Sequence, residues 1–164
     1  MKVGGGTCPI SVGCPSEVPH LLFLWLLKNT DRRLKIINIG GEGEFAIRDQ
    51  TVININLKSV ALNKSFRTSR GGLTWKELQE QHDHQHQQFQ LVDDIGNIEA
   101  KEHSVDLIFT ESIPLDQKTH AGTGPQTENI LKILSPKGLW IHNGGIIRKG
   151  SHGEAITVSQ SLTK

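Results

Sequence analysis

The sequence has no long apolar run. Its longest, Leu21 to Leu27, covers seven residues, and a helix that crosses a membrane needs about 20. The run is also badly placed for a secretory signal. Pro15, Glu17, Pro19 and His20 precede it, and no small-residue cleavage site follows. Cysteine is scarce: Cys8 and Cys14 are the only two. They are too few for a disulfide scaffold and two ligands short of a zinc site, which fits a reducing, cytoplasmic setting. Charge of one sign is missing as well. Eighteen Lys and Arg face 17 Asp and Glu, a net charge of +1, which speaks against a strongly basic nucleic-acid binder or an acidic solvating chain. No internal repeat is visible. Trp25, Trp75 and Trp140 are not interleaved with basic residues, so no single-strand stacking platform is indicated.

What the chain does have is an ordinary globular composition. Hydrophobic residues make up 35% of 164 residues, with 17 glycines beside them, enough for a core and against disorder. Residues 1–16, rich in Gly and Pro, read as a flexible leader, and residues 17–164 as one domain. The pattern predicts a helix from Glu17 to Lys28, capped by Ser16. It is apolar almost all round and therefore buried or packed on a partner. A β-branched strand over residues 34–39 runs straight into Gly40-Gly41-Glu42-Gly43. A second strand covers residues 51–56, and the short stretch between leaves room for one helical turn at most. Thr74 and Glu77 have capping-box spacing ahead of a short helix. Further strands are expected at Phe89–Val92, Val105–Thr110 and Leu139–His142, with one possible at Ala155–Val158. A helix is expected at Thr127–Leu134 and a turn at Ser135–Gly138. Strands alternating with helices or long crossovers predict an α/β fold: a Rossmann-like, doubly wound, mostly parallel sheet of five or six strands, truncated at its far edge. Ligands bind such sheets at the carboxyl ends of the strands, where strand order reverses.

One combination says more than its parts. A strand enters Gly40-Gly41-Glu42-Gly43, and a strand ends in Asn56. Then come Asp94, Ser104-Val105-Asp106-Leu107-Ile108-Phe109, and the stretch Ile130-Leu131-Lys132-Ile133-Leu134-Ser135-Pro136-Lys137-Gly138-Leu139-Trp140-Ile141. In order and spacing this resembles the class I S-adenosylmethionine-dependent methyltransferases, over about Leu34 to Asn143. The resemblance implies S-adenosylmethionine as cofactor. Backbone at Gly40, Gly41 and Gly43 would approach its methionine and ribose parts, and Asn56 would meet the ribose hydroxyls. Asp94 would accept from the adenine amino group, with Ile95 beside the ring. The chain departs from the family at definite places. Asn38 and Asn56 stand where acidic residues are usual, the glycine turn is one residue shorter, and the first helix is nearly absent. A narrower resemblance links Asn38–Glu44 and Ser69-Arg70-Gly71-Gly72 to methyltransferase-like domains of bacterial polymorphic toxins.

The methyl acceptor is not legible. Family members place acceptor-contacting groups after the fourth strand, so Glu111 is the candidate substrate-facing carboxylate. It could equally be a solvated loop acid. His142 closes the fifth strand at the same sheet edge and could accept a proton, or be a half-buried strand-end histidine. Asp116 and His120 rest on loop position alone. His82 and His86 share a helix face, but no cysteine or third ligand joins them, so no metal is expected. Arg67 and Arg70 could meet an anion or simply be solvated. Two other functions fit the same pattern: a non-catalytic or toxin-derived binding module on this scaffold, and a nicotinamide dinucleotide domain. The latter would want Gly-x-Gly-x-x-Gly and a later acid, where the chain has Asn.

Overall fold

The computed structural model describes residues 2–3, 6–7, 20–29, 31–43, 45–68, 71–82, 86–110 and 124–159. Runs of β-branched residues build its sheet: β1 (Ile36–Ile39), β2 (Val52–Leu57), β3 (Gln87–Val92), β4 (Val105–Phe109), β5 (Leu134–His142), β6 (Gly145–Lys149) and β7 (Ala155–Ser159). The spatial order is β3-β2-β1-β4-β5-β6-β7. The first five strands are parallel, and β6 and β7 return antiparallel. The expected five or six strands are thus seven. The far edge is not truncated but closed by a meander. A separate two-residue antiparallel pairing joins Lys2–Val3 to Gly6–Thr7 within the stretch read as a leader.

Both faces of the central strands are covered, which is why they read as continuous apolar runs. On the first face Leu22, Phe23 and Leu26 of α1 (His20–Asn29) pack on Ile36, Val52, Leu107 and Ile141. The expected start of this helix, Glu17, lies outside the described residues. Leu21 is 42% exposed, so α1 buries one face rather than its whole circumference. On the second face Ile130, Leu131 and Ile133 of α4 (Pro125–Ile133) pack on Ile37, Ile39 and Ile108. A one-turn helix, α2 (Lys58–Ala61), follows β2. The capping box starts α3 (Trp75–His82). Glu77 N–H donates to Thr74 Oγ1 (3.2 Å), while Thr74 N–H donates to Glu77 Oε1 (2.9 Å). Trp75 then meets Phe89 of β3 edge-on at 5.2 Å.

One local feature differs from the sequence expectation and one agrees with it. Ser135–Gly138 is not a free turn between helix and strand but a bulge inside β5. Val105 pairs with Leu134 and Leu107 with Leu139, so three extra residues loop out of β5. Gly138 is required there, because a Cβ would lie 2.7 Å from Asp106 O and 3.0 Å from Val105 O. Trp25 Nε1–H donates to Lys137 O (3.1 Å) and ties α1 to the bulge. Among the described residues between β1 and β2 there is no helix, as the short gap predicts. Phe45 stacks on Phe109 at 4.1 Å, Ile47 is buried, and Gln50 bridges Leu34 N–H and Arg32 O, filling the space a helix would take.

Candidate cofactor site at the strand-order switch

Strand order reverses between β1 and β4, so the crevice at their carboxyl ends is the expected ligand position. β1 leaves the sheet there through the glycine turn. Gly40 and Gly43 both have positive φ (78° and 79°), which glycine adopts freely. Gly40 N–H donates to Ile55 O (2.6 Å), Gly41 N–H to Asn38 O (3.2 Å) and Gly43 N–H to Asn54 Oδ1 (3.3 Å). All three amide donors are committed internally. At these three glycines, what remains for a ligand is carbonyl oxygen.

Beneath the turn lies a buried polar chain that sequence reasoning missed. Asn38 Nδ2 donates to Asn54 Oδ1 (3.2 Å), Asn54 Nδ2 to Gln87 Oε1 (2.6 Å) and Gln87 Nε2 to Phe45 O (3.0 Å). These side chains are 1%, 0% and 5% exposed, so each amide must find its partners inside the protein. A Cβ on Gly41 would lie 2.6 Å from both Asn38 Nδ2 and Asn54 Oδ1. The demand for glycine at 41 is therefore set from within, by the asparagines. The parallel register that puts Asn38 opposite Asn54 is the signal that could have found this chain.

Asn56, at the end of β2, is buried. Its Oδ1 accepts from Leu57 N–H (2.8 Å), which leaves the amide NH2 as its remaining donor group. Asp94 follows β3 and caps the 3-10 turn Ile95–Asn97. Its Oδ2 accepts from Gly96 N–H (2.8 Å), and the carboxylate is otherwise exposed. Ile95 is buried among Ile37, Ile55 and Ile98, so it props the Asp94 turn from beneath rather than offering a broad face to a ring. Lys58 pairs with neighbouring Asp93 at 3.4 Å. An open groove of about 1170 Å3 runs along the second face past Lys58, Asp93, Gly96 and Lys132. It borders the Asp94 turn but is not lined by the glycine turn or Asn56.

At the other side of the switch, Thr110 follows β4 directly and β5 ends at His142. Trp140 Nε1–H donates to Thr110 Oγ1 (2.7 Å), and His142 Nδ1 lies 2.8 Å from Thr110 Oγ1 and 3.0 Å from Thr110 O. Glu111, Asp116, His120, Arg70 and His84 lie outside the described residues. Among those described, no group of three His, Cys, Asp or Glu converges. No described helix is long and apolar enough to cross a membrane.

No protein-family model matches the sequence, and no curated protein does. Solved structures do resemble it. A provisionally assigned S-adenosyl-L-methionine-dependent methyltransferase from Methanococcus maripaludis superposes with a TM-score of 0.51 at 16% identity. The match covers 77% of this chain and 55% of that one. The fold is Rossmann-like. The PH0226 protein of Pyrococcus horikoshii OT3 matches with a TM-score of 0.42 at 10% identity, over 87% of this chain and 74% of that one. This chain thus spans just over half the length of the first neighbour, with which it shares a Rossmann-like fold.

Proposed function

We propose that the chain binds S-adenosylmethionine across the ends of β1, β2 and β3 and directs methyl transfer to an acceptor entering beside β4 and β5. The observation that carries this reading is the position of the exposed Asp94 carboxylate. It stands at the carboxyl end of β3, two strands from the glycine turn, in the sheet order that brings both to one edge. The residues present fit the group. Carbonyl oxygens at Gly40, Gly41 and Gly43 suit a methionine ammonium, because the amide donors of these three glycines are already occupied. The Asn56 amide can donate to a ribose oxygen, though without the charge that roughly doubles the strength of a carboxylate bond. Asp94 has an oxygen left for an adenine amino group once Gly96 N–H is capped. The cofactor, when bound, supplies an electrophilic methyl on sulfur. The protein's part is then to orient the acceptor, an effect worth on the order of 7–11 kcal/mol in ideal cases. Glu111 remains the proposed acceptor-facing carboxylate and His142 the proposed proton acceptor.

A second reading, a non-catalytic binding module on the same scaffold, is favoured by one feature. Asn56 Oδ1 already accepts from Leu57 N–H and carries no charge, so it is a weaker acceptor for ribose hydroxyls than the usual carboxylate. Calorimetric titration with S-adenosylhomocysteine separates the two. Saturable heat and a raised melting temperature are expected for the first reading, with NAD unable to compete. No heat at millimolar ligand leaves only the second.

A further inference from the structure

At the ends of β4 and β5 the hydrogen-bond partners fix a protonation pattern. Thr110 is fully buried, and His142 is half-buried beside it. Thr110 O is a carbonyl and has no proton to give, yet His142 Nδ1 sits 3.0 Å from it. A bare nitrogen lone pair at that distance would face an oxygen lone pair, so Nδ1 must carry the proton. Thr110 Oγ1 accepts from Trp140 Nε1–H (2.7 Å) and lies 2.8 Å from the same Nδ1–H. Its own hydrogen then turns to Ile141 O at 3.5 Å. Each of these donors has an acceptor in this arrangement, and it alone avoids setting a bare Nδ1 against the Thr110 carbonyl. A neutral imidazole protonated at Nδ1 bears its lone pair at Nε2. There Asn143 Nδ2 donates at 3.2 Å, a long bond from a residue held in the left-handed region (φ 47°) by the tight turn after β5.

We infer that the Thr110 carbonyl is the positioning group that locks His142 as the Nδ1–H tautomer, with Trp140 holding the Thr110 hydroxyl beside it as an acceptor. Nε2 is thereby presented as a proton acceptor to a ligand bearing O–H or N–H. This deepens the proposed function, on which its place in a reaction rests, by naming the acceptor class. The molecule entering here is a hydroxyl or amine compound, not one whose reacting atom lacks hydrogen. Binding moves the ligand's hydrogen bond onto Nε2 in place of the Asn143 amide.

The test is a long-range 1H–15N correlation spectrum of the full-length, 15N-labelled chain, with His142→Gln identifying the His142 signals. The expected pattern is that of Nδ1–H with an unprotonated Nε2, and an Nε2–H pattern overturns the inference. Thr110→Val keeps the carbonyl and should keep the tautomer, while shifting the Trp140 indole N–H. A tautomer that flips in this variant would show that the hydroxyl donates to Nδ1, which also overturns it. Titration with phenol, which donates a hydrogen bond, and with anisole, which cannot, reads the ligand class. The Nε2 resonance should move with phenol alone, and an equal response, or none to phenol, overturns the assignment of class. S-Adenosylhomocysteine calorimetry is independent of all three results, so failure of the cofactor reading and failure of this one are told apart.

Discussion

Asn38 and Asn54 face each other across β1 and β2 and share a hydrogen bond of 3.2 Å directly beneath Gly41. The pair sets the shape of the turn at the strand-order switch. Gly41→Ala would press a methyl group against both amides at 2.6 Å. The expected loss is about 1–3 kcal/mol, the usual cost of overpacking, with the melting temperature falling roughly 2–4 °C per kcal/mol. Urea denaturation checks it. In an Asn38→Ala background the same substitution should cost less, because half of the clash is gone. An unchanged cost would mean that the turn, not the amide pair, sets the demand.

Asn54 satisfies four groups at once: Asn38 Nδ2, Gly43 N–H, Gln87 Oε1 and Gln88 O. Asn54→Leu leaves them in an interior without water, at about 1–3 kcal/mol per unsatisfied group. Hydrogen exchange should quicken at Gly43 before it does in β4. Uniform loosening of the sheet would contradict a local role.

Asp94 has a capping role and a proposed cofactor-binding role, which one substitution can separate. Asp94→Asn retains an oxygen for Gly96 N–H but loses the charge. Stability should change little, while S-adenosylhomocysteine binding weakens roughly 10- to 100-fold, as expected for a bond of about 1.5–3 kcal/mol to a charged group. Equal affinity in calorimetry would remove Asp94 from the site.

The capping box couples α3 to pH. The Thr74 N–H and hydroxyl hold the Glu77 carboxyl below its ordinary value of 4.5. A carboxyl lowered in the folded state adds stability above its unfolded value and loses it as pH falls through the lowered one. Thr74→Ala should cost about 1 kcal/mol at neutral pH. The deficit relative to the unsubstituted protein should shrink in acid. A deficit constant from pH 7 to pH 3 would refute the coupling.

Lys149 is 8% exposed, with Nζ 2.8 Å from His103 Nδ1 and donating to Lys132 O (3.4 Å). Burial pushes its ammonium below 10.5, and Glu102 offsets this in part. Here the folded state binds fewer protons than the unfolded one. Stability therefore rises with pH between the lowered value and 10.5. Lys149→Met should be near neutral at pH 7, since a packed apolar side chain often replaces a buried charge without loss. It should also abolish the alkaline rise. A rise that persists in the variant would assign it to another group.

Much of the architecture is legible because its causes are local. Isoleucine runs at 36–39 and 52–55 mark β1 and β2, and Thr74 with Glu77 marks the start of α3. The seven-residue gap before β2 excludes a helix there. The hairpin signal Asn143-Gly144 is equally local, with both residues at positive φ, and with Ile146 and Ile147 following it marks β6, the strand that the sequence reading leaves out. The Ser135–Gly138 bulge has no such mark. Its Pro and Gly suit a turn as well as a bulge, and only pairing with Val105 and Leu107 distinguishes them.

The candidate site divides in the same way. Glycines after a strand and an acid after β3 are visible as residue types, so the sequence alone determined which sheet edge gathers the candidate site. What only the tertiary structure decided is what those residues are already bonded to. Asn38, Asn54 and Gln87 are far apart in the chain, as are Trp140 and Thr110, and their partners are chosen by strand register and burial. A polar side chain's chemistry depends on who has taken its donors and acceptors. That is settled only when strands distant in sequence come together and exclude water.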